Sequence, residues 1–171
     1  MSIILANGRG QMGECLRTTL LENLHVETDD IHVNIYHTWN IEDKSKETQY
    51  KEYCKFKDFV DSNCDEKIIF ISTKSQKECW YVHYKQMSES YLLQNCNDSI
   101  VLRFPTLIGK KGTLHSLKER AIEPYGEMEL VTLQRSCDEI LKKIKYKGPI
   151  KSFSYDGEKI MATTAVSILN A

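Results

Sequence analysis

Apolar residues in this chain fall into short continuous runs, separated by longer stretches in which they recur every three or four positions. The first run, residues 3–6, leads into a glycine-containing turn, and Met12, Leu16, Leu20 and Leu21 then follow with helical spacing. This spacing puts the four side chains on one face of a helix. The N-terminal segment is therefore predicted to be a strand, a glycine turn and a helix.

The same alternation continues to the C-terminus. Strands are predicted at residues 31–36, 67–72, 99–104 and 150–155, and helices in the second half of 41–63, at 81–94, over most of 128–145 after a short strand, and at 161–171. Residues 109–125 are predicted to be loop-rich with some helix. The run at 67–72 has a continuous apolar centre, which is typical of a strand covered on both faces. Strands that alternate with helices predict an α/β fold, doubly wound around a mainly parallel sheet with helices on both faces.

Composition narrows the class of protein. A chain of 171 residues, 41% of them hydrophobic, is predicted to form a single compact domain over residues 1–171. A formal net charge of −1 gives no electrostatic reason to expect a nucleic-acid or membrane partner. No apolar run approaches the ~20 residues of a membrane span, so a cytoplasmic location is predicted.

The six cysteines and five histidines do not indicate a metal site. The sequence has no C-x-x-C pair and no histidines at ligand spacing, so no metal ligand is predicted. The cysteines are interpreted as reduced and mostly buried thiols.

The turn after the first strand has the spacing G-x-G-x-x-G. Glycine permits positive φ and lets the backbone approach a pyrophosphate closely, and the first turn of the next helix offers free N–H groups. The predicted cofactor-binding residues of this turn are Gly8, Arg9, Gly10, Gln11, Met12 and Gly13. The alternative is a strand-to-helix turn with no ligand. Asp29 or Asp30 could bind a free ribose 2′-OH, which would favour NAD, whereas Arg9 could bind a 2′-phosphate, which would favour NADP. The predicted cofactor is therefore NAD or NADP.

A second candidate site is the pair Tyr81 and Lys85, which are four residues apart on a predicted helix and so share a face. A lysine ammonium close to a tyrosine hydroxyl stabilises the phenolate and makes tyrosine a usable acid or base. Thr73 or Ser72, at the end of the preceding strand, could bind the substrate oxygen. The alternative is an aromatic packing face in which Lys85 extends to solvent.

Four segments together resemble the extended short-chain dehydrogenase/reductases, a family of NAD-dependent nucleotide-sugar epimerases, dehydratases and reductases. Residues 7–13 are similar to the family's G-x-x-G-x-x-G turn, and their Gly-Gln-Met-Gly ending is similar to the dTDP-4-dehydrorhamnose reductase branch. Residues 70–73 resemble the strand that carries the catalytic Ser or Thr, and 81–89 resemble the Tyr/Lys helix. Residues 101–109 resemble the family's I-L-R-P-x-x-V-Y-G segment.

This resemblance implies a Rossmann-like, NAD(P)-binding domain and a role for each candidate residue. Tyr81 would be the acid/base, Lys85 its electrostatic partner and a ribose contact, and Thr73 or Ser72 would bind the reacting oxygen. The residues implied to line the nicotinamide or border the cofactor are Phe104, Pro105, Thr106, His37 and Thr38. The resemblance also implies a nucleotide sugar or a related hydroxyl or carbonyl substrate. By the same analogy, the helices at 50–60 and 84–93 would pair in a homodimer.

The chain departs from the family pattern at several places. Asn7 replaces the first family glycine, Tyr81 follows Thr73 by only eight positions, and the stretch between Gly13 and Ile31 is short for two further strand units. The chain is also shorter than extended members of the family, and the difference in length falls mainly on the substrate-binding region. Two functions are therefore considered: an NAD(P)-dependent enzyme with Tyr/Lys chemistry, and a non-catalytic cofactor-binding or protein-interaction module derived from that family.

Overall fold

A computed structural model describes residues 2–6, 10–23, 32–109, 117, 119 and 124–168. In chain order, its helices and strands are β1 (Ser2–Ala6), α1 (Gln11–Asn23), β2 (His32–Tyr36), α2 (Lys46–Asn63), β3 (Lys67–Thr73), α3 (Trp80–Asn95), β4 (Ser99–Phe104), β5 (Thr106–Ile108), β6 (Glu127–Thr132), α4 (Leu133–Ile144), β7 (Ser152–Ser154), β8 (Glu158–Met161) and α5 (Ala162–Ile168).

The main sheet has five parallel strands in the order β1-β2-β3-β4-β7. The predicted α/β fold is confirmed, since helices cover both faces of this sheet. Its centre is β3, in which all residues except the last are buried. This burial agrees with its continuous apolar run.

Two apolar cores lie on opposite faces of the sheet. One core joins α1 and α4 to the strands through Leu16, Cys137 and Ile140. The other joins α2 and α3 to the strands through Phe56, Val60 and Leu92, and the Phe56 and Phe70 rings there lie 4.3 Å apart. Helix starts are fixed locally: the Ser45 side chain accepts a hydrogen bond from the Thr48 backbone N–H, and that of Thr132 accepts one from Arg135.

The order of the strands is simpler than that of a full dinucleotide-binding sheet. From β1 to β4 the strands follow one another across the sheet in chain order. Right-handed crossovers in one direction place their helices on a single face, but α1 packs on the face opposite to α2 and α3. No strand among the described residues pairs with the outer side of β1, so the described order lacks the reversal found in such sheets.

A smaller sheet joins the C-terminal part of the chain, with β5 parallel and β8 antiparallel to β6. β8 was not predicted from the sequence, and the last helix begins at Ala162, one residue after the predicted start. Lys74, just after β3, ties the two sheets together because its Nζ lies 2.8 Å from Glu129 Oε1 and 2.5 Å from Asp156 Oδ1. No helix in the described ranges is long and apolar enough to cross a membrane.

Candidate active site

The carboxyl ends of the central strands bring several predicted site residues to one edge of the main sheet. Thr73 at the end of β3 lies opposite Phe104 at the end of β4. The Lys74 backbone N–H donates to the Phe104 carbonyl over 2.9 Å, which extends the pairing one residue further. His37 directly follows β2 at the same edge. This is the edge at which open α/β sheets bind ligands.

The structure brings Tyr81 to Thr73 in spite of the short connection between them. The loop is tightened by two side chains: the Ser75 N–H donates to Thr73 Oγ1 over 3.1 Å, and the Lys77 N–H donates to Ser75 Oγ over 3.3 Å. α3 then begins at Trp80, so Tyr81 lies in its first turn. Burial raises the pKa of Tyr81 to about 12, and the Thr73 side chain, which is close enough to interact with the Tyr81 hydroxyl, opposes this shift. Tyr81 is therefore a protonated phenol at neutral pH.

Lys85, one turn further along α3, is enclosed in the protein. It is 3% exposed, and its Nζ donates to the Ile71 carbonyl over 2.8 Å. The ammonium also lies 4.4 Å from the centre of the Trp39 ring and 4.5 Å from that of Phe70. Burial lowers the pKa of Lys85 to about 7, against the opposing effect of Glu89 and Glu52. Lys85 thus lies between two aromatic rings. The causes that set the pKa of Tyr81 are burial, the Thr73 side chain and Cys79, and Lys85 is not among them.

Trp39 covers Lys85 because a buried glutamine holds the segment after β2 in place. Trp39 Nε1 donates to Gln49 Oε1 over 2.7 Å. Gln49 is fully buried, and its Nε2 donates to the carbonyls of Asn40 and Asp43. Its amide therefore fixes both the indole and the backbone that follows it. Gln49 was not identified as a site residue from the sequence.

The glycine turn is only partly within the described residues. Gly8 and Arg9 lie outside them. Gly10 has φ +97°, with open space where a Cβ would point, and Gly13 is buried in the first turn of α1. Met12 faces the core rather than the edge of the sheet, being 7% exposed. Gly10 thus shows the positive φ that was predicted for this turn.

Gln11 packs against the segment after β5. A Cβ on Gly109 would overlap the Gln11 side-chain amide, so glycine there permits a close approach of the two segments. Residues 101–109, which resemble the family's I-L-R-P segment, therefore end beside the glycine turn.

Four buried polar atoms at this edge have no hydrogen-bond partner within the part of the chain that the structure describes. They are His37 Nε2, Thr38 Oγ1, Ser72 Oγ and the Tyr155 hydroxyl oxygen. Burial lowers the pKa of His37 to about 4, with Arg17 and Lys85 acting in the same direction, so His37 is neutral at pH 7. Buried polar atoms usually have a partner, and a bound ligand could supply one here. Thr38 follows His37 and is half-buried.

Phe104, Pro105 and Thr106 mark the passage from the main sheet to the smaller one. Phe104 ends β4, and Thr106 begins β5 opposite Leu130 of β6. The Phe104 ring stacks on Tyr155 with a centroid distance of 4.8 Å and an angle of 10°. Tyr155 was missed as a site residue, although it follows a parallel strand at this edge. Within the described ranges, no cluster of three or more His, Cys, Asp or Glu side chains could hold a metal ion.

Solved structures of epimerases and reductases share this fold. WbmH of Bordetella bronchiseptica, solved with NAD⁺, superposes with a TM-score of 0.78 at 11% identity, over 99% of this chain and 80% of that chain. UDP-N-acetylglucosamine 4-epimerase of Bacillus cereus gives a TM-score of 0.75 at 12% identity, over 98% and 80%. dTDP-4-dehydrorhamnose reductase of Bacillus anthracis, solved with NADP, gives a TM-score of 0.70 at 16% identity, over 98% and 80%. No protein-family model matches the sequence, and no curated protein is similar to it.

Proposed function

We propose that this chain, as a single NAD(P)-binding domain, is an oxidoreductase or epimerase-type enzyme that acts on a carbonyl or hydroxyl of a nucleotide sugar or a related compound. The observation that carries the proposal is the proximity of Tyr81, in the first turn of α3, to Thr73 at the carboxyl edge of the sheet. A paired phenol and hydroxyl at this edge can bind one substrate oxygen from two sides.

The described part of the glycine turn fits the pyrophosphate of NAD or NADP. Gly10 has the positive φ that such a turn requires, and α1 is 13 residues long, so its first turn presents free N–H groups and a positive dipole end. Structures with this fold contain NAD⁺ in one case and NADP in another, which supports the cofactor class without selecting between the two. When bound, the nicotinamide would supply or accept a hydride.

The raised pKa of Tyr81 favours proton donation. A phenol with a pKa of about 12 keeps its proton at neutral pH, so Tyr81 can donate it to a carbonyl oxygen that becomes a hydroxyl. The Thr73 hydroxyl would orient the same oxygen. Water at the open edge would then reprotonate the tyrosine. The reductive direction, from carbonyl to alcohol, is therefore the one that the site favours.

The alternative function is a non-catalytic module that has the same fold and binds a cofactor or a partner protein without carrying out a reaction. It is favoured by the enclosure of Lys85, whose ammonium contacts Trp39, Phe70 and the Ile71 carbonyl. For Lys85 to contact a ribose, the Trp39 side chain would have to move away from it. The position of β1 at the edge of the described sheet favours the same alternative.

A homodimer through α2 and α3 belongs to the same proposal. These neighbouring helices expose Tyr50 (53%), Trp80 (43%), Met87 (38%) and Leu93 (37%). Exposed aromatic and large aliphatic side chains on one pair of helices are typical of an interface. We place the protein in the cytoplasm, where exposed cysteines such as Cys64 stay reduced.

The decisive experiment compares Tyr81→Phe with the wild-type protein in two assays. NAD(H) and NADP(H) are first titrated while the fluorescence of Trp39 and Trp80 is followed. Reduction of keto-sugar nucleotides by the bound cofactor is then measured. We expect Tyr81→Phe to bind the cofactor like the wild type but to lose ~10²-fold or more of its turnover.

Tyr125→Phe is the matched control, because Tyr125 is 89% exposed. It should behave like the wild type. Turnover that survives in Tyr81→Phe would refute the mechanism. Cofactor binding without turnover in any variant would support the non-catalytic module, and absence of binding by the folded wild type would refute cofactor use altogether.

A further inference from the structure

Two cysteines that are far apart in the sequence meet between the helices on one face of the sheet. Cys15 lies on α1 and Cys137 on α4, 122 positions away. We propose that these two residues form a reversible disulfide that links α1 to α4. This inference does not depend on cofactor binding or on the proposed enzyme activity.

The sulfur atoms are already in contact. Cys137 Sγ lies 2.9 Å from Cys15 Sγ, closer than the ~3.5–4.0 Å at which non-bonded heavy atoms are most stable. A disulfide bond is about 2.05 Å long. Since both side chains project into the same space between two packed helices, closing this gap requires about 1 Å of movement, which side-chain rotation can supply.

The surroundings of the pair place one thiol at the surface and one in the core. Cys15 is half-buried, and its Sγ also lies 4.0 Å from Gln134 Oε1. Cys137 is fully buried, with its Sγ 3.8 Å from Met12 Sδ. Burial raises the pKa of the Cys137 thiol, and Cys15 adds to the effect. Cys15 is therefore the thiol that meets an oxidant first, and Cys137 is the resolving thiol.

The oxidant is a low-molecular-weight disulfide. The Cys15 thiolate attacks one of its sulfurs, which forms a mixed disulfide and releases the first small thiol. Cys137 then gives up its proton and attacks the Cys15 sulfur, so that the second small thiol leaves with that proton. Two protein thiols are oxidised to one disulfide, and one small disulfide is reduced to two thiols.

The position of the pair explains what the bond would do. β1 pairs only with β2 among the described strands, so the β1–α1 unit is attached to the domain by that strand pairing and by the packing of α1 on α4 and on the sheet. The disulfide would link α1 to α4 about one helical turn after the start of α1, since Cys15 lies four residues after Gln11. Oxidation would thus stabilise the position of β1, which among the described strands is paired on one side only.

The test uses the full chain incubated with oxidised glutathione, after which free thiols are alkylated and the protein is examined by mass spectrometry before and after non-reducing digestion. Of the six cysteines, we expect four to be alkylated and one cross-linked peptide to join Cys15 with Cys137. Alkylation of all six, a stable glutathione adduct on Cys15, or a cross-link between other cysteines would each overturn the proposal. This measurement needs no variant to fold.

A second measurement compares melting temperatures with and without dithiothreitol. The oxidised wild type should melt roughly 5–10 °C higher than the reduced protein, and Cys15→Ser and Cys137→Ser should lose this difference. Cys64→Ser is the control, because Cys64 is exposed at the end of α2 on the opposite face, and it should keep the difference. An equal redox effect in Cys15→Ser and the wild type would also contradict the linkage.

Discussion

Replacing Lys85 by methionine should remove a dependence of stability on pH that the buried ammonium imposes. Lys85 is 3% exposed, and burial lowers its pKa from 10.5 to about 7. Methionine has a similar length and no charge, so it can occupy the space between Trp39 and Phe70. The Ile71 carbonyl that Lys85 contacts belongs to β3, which is paired with strands on both sides.

The sign and size of the effect follow from proton linkage. Between the folded pKa of about 7 and the unfolded value of 10.5, the unfolded chain holds a proton on Lys85 that the folded protein has lost. Stability therefore rises with pH in this window, with a slope that approaches about 1.4 kcal/mol per pH unit. From about pH 7 to about pH 8.5 the wild type should gain about 1.5 kcal/mol relative to Lys85→Met.

Urea unfolding at about pH 7, 7.75 and 8.5, followed by circular dichroism, measures this difference. The comparison with the variant is essential because burial raises the pKa of Cys96 to about 11, which makes the stability of both proteins fall as thiols of the unfolded chain ionise. Lys142→Met is the matched control, since the Lys142 side chain is 65% exposed on α4, and it should follow the wild type. If Lys85→Met kept the pH slope of the wild type, the inferred state of the buried lysine would be wrong.

Two further predictions concern the core and the surface. Phe56→Ala should lower the free energy of unfolding, measured in urea, by about 3–5 kcal/mol. The reason is that Phe56 is fully buried and its ring centroid lies 4.9 Å from that of Tyr36 and 4.3 Å from that of Phe70. A loss below ~1 kcal/mol would mean that this core is not packed as described. The proposed dimer predicts that Met87→Lys with Leu93→Lys lowers the sedimentation mass from dimer to monomer, whereas Ile150→Lys, which is exposed outside α2 and α3, does not. A wild type that sediments as a monomer would contradict the interface.

The order of strands and helices could be read from the sequence because each element carries its own periodic signal. The apolar run of β3 and the helical spacing of Met12, Leu16 and Leu20 are local patterns, and all of these side chains are buried as the patterns indicate. The opposition of Thr73 and Phe104 also followed, since the carboxyl ends of parallel strands meet at one edge. β8 was missed because three of its four residues are exposed, so it has no regular apolar period.

Only the tertiary structure decided contacts that join distant parts of the chain. In β2, neighbouring strands on both sides and helices on both faces of the sheet bury the polar residue Asn34 completely, and its Nδ2 donates to Glu66 over 2.6 Å. The enclosure of Lys85 by Trp39 depends on where α3 packs against the sheet. The contact of Cys15 with Cys137 depends on the packing of α1 on α4. A sequence specifies the periodicity of each element, whereas the side chains that meet across 122 residues are determined by how those elements pack.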